Sequence, residues 1–217
     1  MGPLPHAPDA DEQRRFLHEE LLPRIEEAKA GKREVWFVDA SHFLYGAVLG
    51  FLWCAVRLWL PSPTGRRRYN VLGALNAVTR EVRWVGGAGK VTAELVVSLL
   101  KKLTHGFDGP PVPGPKVTVV LDNARYQKTW WVRLAAAWYD IELLYLPTYS
   151  PNLNLIERLW KFVKKEALAC RCLGSFADFQ QAIERCLADT ATTHKDEMQS
   201  LLTLNFQLFD DVPTLAA

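Results

Sequence analysis

Very little in this sequence points to the common chemistries of small enzymes. The four cysteines, Cys54, Cys170, Cys172 and Cys186, include no CxxC pair and have no paired histidines nearby, which speaks against a structural zinc site. They read instead as reduced cysteines of a cytosolic protein, with Cys54 and Cys186 in apolar surroundings. A Gly-rich phosphate loop, an HExxH pair and a Ser-His-Asp order are all missing, so nucleotide-hydrolase, zinc-protease and serine-hydrolase readings have no support. No basic segment followed by an apolar run opens the chain, and secretion is not indicated. The most apolar stretch, residues 43–60, is interrupted by Arg57 and contains Gly46 and Gly50, which suits buried strands better than a membrane span. Net charge is only +2, so any nucleic-acid surface must come from local clusters of Lys and Arg.

What is present is the composition of a folded protein. The 217 residues are 49% hydrophobic and 23% charged, enough for one substantial core and a small appendage. Three prolines within residues 1–9 predict an irregular tail. Leu17, Leu21 and Ile25 recur at helical spacing over residues 10–30, where Pro23 should kink or split the helix and Gly31 should stop it. A first strand is expected at 35–39, and residues 41–60 read as two further strand-like runs. Residues 69–79 and 81–85 form an expected antiparallel pair with a tight turn near Arg80. A helix over 92–103 presents Leu95, Val96, Leu99, Leu100 and Leu103 on one face, with Thr92 as its cap. After a Gly/Pro loop at 106–115 come a strand ending in Asp122, a Trp-rich helix, a strand at 141–146, a Pro-rich turn and an amphipathic helix. Ser175 and Asp178 resemble a capping box before another helix, and a last amphipathic segment spans roughly 197–209. That order implies an α/β domain with a mixed sheet and helices on both faces.

Three acids attract attention. Asp39 and Asp122 each close an apolar run, and Glu157 lies in the first turn of an amphipathic helix. Ligands of such sheets gather at the carboxyl ends of parallel strands. Taken singly, each acid has a bland explanation: a turn cap for the aspartates, a helix-dipole contact or an ion pair with Lys161 for Glu157. Taken together, they form a hard-oxygen set of the kind that divalent ions use in phosphoryl transfer. His42 lies three positions past Asp39 and is read first as a structural histidine. Arg158, Lys161, Lys164, Lys165 and Arg171 follow Glu157 with Glu166 as the one acid among them, and Arg66, Arg67 and Arg68 make a second basic cluster. Each is either a solvated face or a DNA contact. Trp130 and Trp131 are expected in the core. The stripe of Ile156, Leu159, Trp160, Val163 and Ala167 is expected there too.

Three blocks, Val38-Asp39-Ala40-Ser41-His42, Val120-Leu121-Asp122-Asn123-Ala124 and the long string from Leu146 through Tyr149-Ser150-Pro151-Asn152-Leu153-Asn154-Leu155-Ile156-Glu157 to Trp160, resemble those of DDE transposases. Within that group the likeness is to the mariner-like bacterial insertion-sequence enzymes. The 34 residues between Asp122 and Glu157 (123 to 156) match the spacing of such enzymes. Two positions depart from the common pattern: Ala40, where many relatives carry an acid, and Leu155, where proline is frequent. The resemblance implies a ribonuclease-H-like fold: a mixed five-stranded sheet flanked by helices, with extra N- and C-terminal helices. It divides the chain into a tail and linker helix (1–34), a catalytic domain (35–170) and a helical extension packed on it (171–217). It further implies Asp39, Asp122 and Glu157 as ligands of two Mg²⁺ or Mn²⁺ ions per site, with Asn123 and His42 as candidate assistants. DNA contacts are expected from Arg66, Arg67, Arg68, Arg158, Lys161, Lys164 and Lys165. The implied activity is cleavage of double-stranded DNA at transposon ends followed by strand transfer, in a cytoplasmic homodimer that contacts no membrane. Relatives carry N-terminal helix-turn-helix domains, and this chain starts close to its first catalytic strand. A separately encoded catalytic half, a truncated copy and an excised domain all remain open. Two rival readings also stand: an inactive DNA-binding or assembly subunit, and a general ribonuclease-H-like nuclease.

Overall fold

Valine and aromatic residues dominate residues 33–44, and this stretch forms the central strand of the sheet. The computed structural model describes residues 9–46, 67–87, 89–104, 114–169, 173–206 and 208. Five strands, β1 (Arg33–Leu44), β2 (Arg68–Asn76), β3 (Val82–Gly87), β4 (Lys116–Leu121) and β5 (Ile141–Tyr145), make one sheet in the order β3-β2-β1-β4-β5. The first three are antiparallel neighbours, and β4 and β5 run parallel to β1. This is the mixed five-stranded sheet expected from the sequence. Side chains alternate across a strand, so Val35, Phe37 and Phe43 enter one core layer while Trp36 and Val38 enter the other.

Strand β1 does not end at Asp39, as its apolar run had suggested. Pairing with β4 stops at Phe37↔Val120, but pairing with β2 continues to Leu44↔Arg68. The antiparallel neighbour supplies the hydrogen bonds that carry the strand five residues further. The described part of the predicted 41–60 runs therefore belongs to β1, and residues 47–60 lie outside the described residues.

The N-terminal helix behaves as Pro23 demands. Asp9 caps α1 (Ala10–Arg15) by accepting from the Asp11 and Glu12 amides, a π-helical turn spans Phe16–Leu21, and α2 (Leu22–Lys29) carries the proline in its first turn. Proline cannot donate to the carbonyl four residues back, and its ring crowds that turn; widening the turn relieves both problems. Leu17, Leu21 and Ile25 are buried as predicted. Gly31 adopts φ +72°, and the Gly31 and Lys32 amides close the helix on Ala28 and Glu27, a Schellman ending that favours glycine. At the β2–β3 turn the Asn76 side chain accepts from Val78 and Thr79, and Arg80 takes a positive φ.

One face of the sheet is covered by α2, α5 (Ile156–Val163), α6 (Phe176–Asp189) and α7 (Lys195–Leu201), and the other by α3 (Ala93–Leu103) and α4 (Trp130–Trp138). Thr92 precedes α3, yet its side chain makes no cap hydrogen bond to the helix amides. Ser175 accepts from the Asp178 amide and donates to its carboxylate, half of the expected box. Helix α7 starts before and stops short of the predicted 197–209 segment. Beyond its end the Arg158 guanidinium donates to the carbonyls of Thr203 at 2.7 Å and Asn205 at 2.6 Å, groups that a longer helix would have used internally. Cys186 is buried as expected; Cys54, Cys170, Cys172 and His105 lie outside the described residues.

A polar knot ties α2 to the sheet. Glu142 of β5 accepts from Arg24 at 2.7 Å, from Thr118 at 2.8 Å and from Arg33, whose side chain is almost fully buried. The Arg24 hydrogen bond, followed by Thr118 and the charges of both arginines, holds the Glu142 carboxyl at about 2 against the partial burial that opposes it. A depressed carboxyl contributes stability above its unfolded value of 4.5 and loses it as pH falls from there toward about 2. Glu142→Ala, which removes the carboxylate shared by Arg24, Arg33 and Thr118 and leaves Arg33 paired with Glu27 alone, should cost on the order of 2 kcal/mol at neutral pH. In urea denaturation that gap should shrink as pH falls below 4.5.

Candidate active site

The register of the parallel strands brings two of the acids to one face. Phe37 and Val120 are the last paired residues of β1 and β4. Asp39 and Asp122 each stand two positions further on, so alternation points both toward the α5 side. Glu157 comes from the first turn of α5, with its amide donating to the Asn154 carbonyl at 3.2 Å.

Asp39 is the buried member, only 9% exposed and directly opposite Gly73 of β2. Its Oδ2 accepts from the indole Nε1 of Trp160 at 3.1 Å. Burial, then the charges of Glu157 and Asp122, push its carboxyl up to about 7; the Ala40 amide and the Trp160 indole pull the other way. Asp39 therefore lies within electrostatic reach of both Glu157 and Asp122. Asp122 is exposed at the β4 exit, where its Oδ1 accepts from the Ala124 amide. Asn123 next to it takes φ +75°, a left-handed turn that asparagine tolerates better than most residues. The Asn123 amide donates to the Leu146 carbonyl, clamping the β4 and β5 exits together.

Trp160 is both core and site. Its ring crowds residue 73: a Cβ there would meet two of the ring carbons at 2.6 and 2.7 Å, so only glycine fits. Gly73→Ala should therefore cost about 1–3 kcal/mol through overpacking and pull the indole off Asp39. Adding Trp160→Phe should recover most of that stability in thermal melts, because the smaller ring vacates the contested volume.

The other predicted residues divide. His42 faces the opposite side of the sheet from Asp39, with its Nδ1 2.6 Å from the Asn70 side-chain oxygen. Arg158 is spent on the segment after α7, and Arg67 lies over the Phe176 ring at 3.9 Å. Lys161, Lys164, Lys165 and Arg68 are exposed, while Arg66 and Arg171 lie outside the described residues. Trp130 and Trp131 correct the sequence reading: they are 61% and 57% exposed, and the small residues Val132 and Ala136 do the burying for α4. Sequence reasoning also missed Tyr126, on the 3-10 turn Arg125–Lys128. Burial, then the charges of Asp122 and Asp39, raise its phenol well above the ordinary range. Only its closeness to Asp122 in the chain could have flagged it.

The donor set suits a hard divalent cation. It consists of carboxylates only, and near them the Ser41 hydroxyl and the Asn154 side-chain oxygen are buried with no hydrogen-bond partner among the described residues. Among the described residues no three His, Cys, Asp or Glu side chains are drawn tightly around one point. Like charges repel, so carboxylates close up when a cation or a shared proton offsets them.

The family described as DDE superfamily endonuclease matches residues 34–180. A curated relative, the Insertion element IS630 uncharacterized 39 kDa protein of Shigella sonnei, is 33% identical over 104 residues, covering 46% of this chain and 28% of that protein. The chain thus matches less than a third of that relative's length. Among solved structures, the Mos1 Strand Transfer Complex is similar with a TM-score of 0.55 at 16% identity, over 94% of this chain and 66% of that one. The Mos1 transposase paired-end complex with left transposon end gives 0.56 at 15% identity, over 95% and 69%. A chain of the simian T-cell lymphotropic virus intasome gives 0.51 at 15% identity, over 84% and 56%. At these identities the likeness shows the fold, which is ribonuclease-H-like.

Proposed function

Since the chain belongs to the DDE superfamily of endonucleases, we propose that it carries the catalytic domain of a transposase, a divalent-metal-dependent DNA endonuclease and strand transferase acting at transposon ends. Residues 35–170 would be that domain, with residues 1–34 a tail and linker helix and residues 171–217 a helical extension. The shared core of α2, α5, α6 and α7 supports treating the extension as packed on the same domain. The observation that carries the proposal is the common space of Asp39, Asp122 and Glu157, in which each of the other two raises the proton affinity of Asp39.

In this reading the three carboxylates hold Mg²⁺ or Mn²⁺, two ions per site. Bound there, the ions would supply Lewis-acid stabilisation of the attacking and departing oxygens. The chain's own residues do the rest. Trp160 orients Asp39, Asn123 locks the β4 exit that presents Asp122, and the Tyr126 phenol stays protonated as a donor beside Asp122. Exposed Lys161 on α5, Lys164 and Lys165 on the π-helical turn that continues it (Lys164–Leu168), and Arg68 position phosphates. The similar folds of the Mos1 paired-end complex with left transposon end and of the Mos1 paired end complex with Mn support DNA ends and Mn²⁺ as partners, and pairing of two ends is the ground for proposing a homodimer. A helix-turn-helix segment, encoded with this chain or separately, would read the ends. Among the described residues no helix is long and apolar enough to cross a membrane, compatible with action on DNA in the cytoplasm.

The test offers the protein three substrates: duplex carrying the DNA that flanks its reading frame, unrelated duplex, and RNA–DNA hybrid. Nicking is expected only with Mg²⁺ or Mn²⁺, abolished by chelator, and favouring the flanking DNA. Equal cleavage of all three would replace the proposal with a general nuclease. Binding without cleavage under every metal condition would replace it with an inactive subunit.

A further inference from the structure

Helix α4 wears its large apolar side chains on the outside. At about 100° per residue, Trp130, Leu134, Trp138 and Trp131 fall within one arc, opposite the buried Val132 and Ala136. Their exposures run from 53% to 67%. The Trp130 and Trp131 rings stack on each other, centroids 3.8 Å apart and 24° from parallel, each with an outer face in solvent.

Between the exposed acids Asp122 and Asp140, the segment that carries this arc holds the exposed cations Arg125, Lys128 and Arg133. Lys128 reaches over the Tyr145 ring at 5.5 Å. In the chain, Asp122 shortly precedes the Arg125–Lys128 turn, and that turn leads into Trp130.

We propose that the outer face of α4 is a stacking platform for unpaired DNA bases, on the side of the sheet opposite α5. Aromatic faces flanked by Arg and Lys are the usual means of gripping single strands, because every base offers a π-face and every nucleotide a phosphate. A second copy of this chain is the poorer occupant. Two such faces would bring like charges together, and four partly exposed side chains offer roughly 450 Å² against the about 800 Å² per partner of a standard stable interface. The choice of DNA rests on the function proposed above; the stacking geometry does not.

The test runs in chelator, so that binding is read without cleavage. Duplex with a short single-stranded overhang containing 2-aminopurine is compared with blunt duplex of equal length, using wild type, a Trp130→Ala/Trp131→Ala double variant and a Trp130→Phe/Trp131→Phe double variant. Wild type should quench the probe and bind the overhang substrate more tightly. The alanine variant should lose about ten- to a hundredfold on that substrate while changing less than about twofold on blunt duplex, and the phenylalanine variant should keep most of the preference. Equal losses on both substrates, or no loss on either, overturn the platform. So does a dimeric wild type turned monomeric by the alanine pair in sedimentation. The two readings fail separately. Overhang quenching by a protein that never cleaves sinks the proposed function alone, and an active nuclease indifferent to the alanine pair sinks the platform alone.

Discussion

Asp122→Asn and Glu157→Gln should each slow divalent-dependent DNA nicking by on the order of a thousandfold, about 4 kcal/mol of barrier, while leaving duplex binding in chelator near wild type. Both side chains stand at the solvent-facing rim of the space they share with Asp39, so neither supports the core. Each substitution also removes one of the charges that raise the proton affinity of Asp39. Melting temperature in chelator should therefore hold or rise. That combination separates a catalytic loss from a folding loss. Nicking that survives either substitution would remove these acids from the chemistry and the proposed function with them.

Asp39→Asn should make the metal-free protein more stable at pH 8 and hardly change it at pH 4. Burial and the neighbouring acids carry the Asp39 carboxyl from 3.8 up to about 7. A carboxyl raised in the folded state favours folding below its unfolded value, and that contribution is lost as pH climbs through the folded value. The folded chain is thus penalised above about pH 7, by on the order of 4 kcal/mol if the full difference is expressed. Asparagine is never charged, so urea denaturation in chelator should show the variant gaining on wild type between pH 4 and pH 8. Added Mg²⁺ should close the gap by stabilising wild type alone. A variant no more stable than wild type at pH 8 would mean that Asp39 carries no such burden.

Much of the frame was legible because its signals are local. The stripe of Leu17, Leu21 and Ile25, the turn at Arg80 and the apolar runs of β4 and β5 need only periodicity and turn chemistry. The long string ending at Glu157 could be read by resemblance. What escaped depends on partners far off in the chain. The passage of β1 through Asp39 is decided by β2, which no pattern inside 33–44 reveals. Trp130 and Trp131 were expected inside because indole is large and apolar, but a helix buries whichever side fits against its neighbours, and here that side is Val132 and Ala136. The charge of Arg158 was visible; the Thr203 and Asn205 carbonyls that claim it were not. Gly73 carried no signal at all, since its meaning lies in the Trp160 ring that crowds it.

That ring has a consequence for how the protein is made. The hydrogen bond from Trp160 to Asp39 joins residues 121 positions apart, and the helix that supplies it also supplies Glu157. A chain leaving the ribosome exposes Asp39, then Asp122, long before α5 emerges, and until that helix docks neither the third acid nor the anchor of the first is in place. For the DNA-cutting role proposed above, this is a built-in delay: the half-made chain already carries two of its acids but has nothing to hold them to their task.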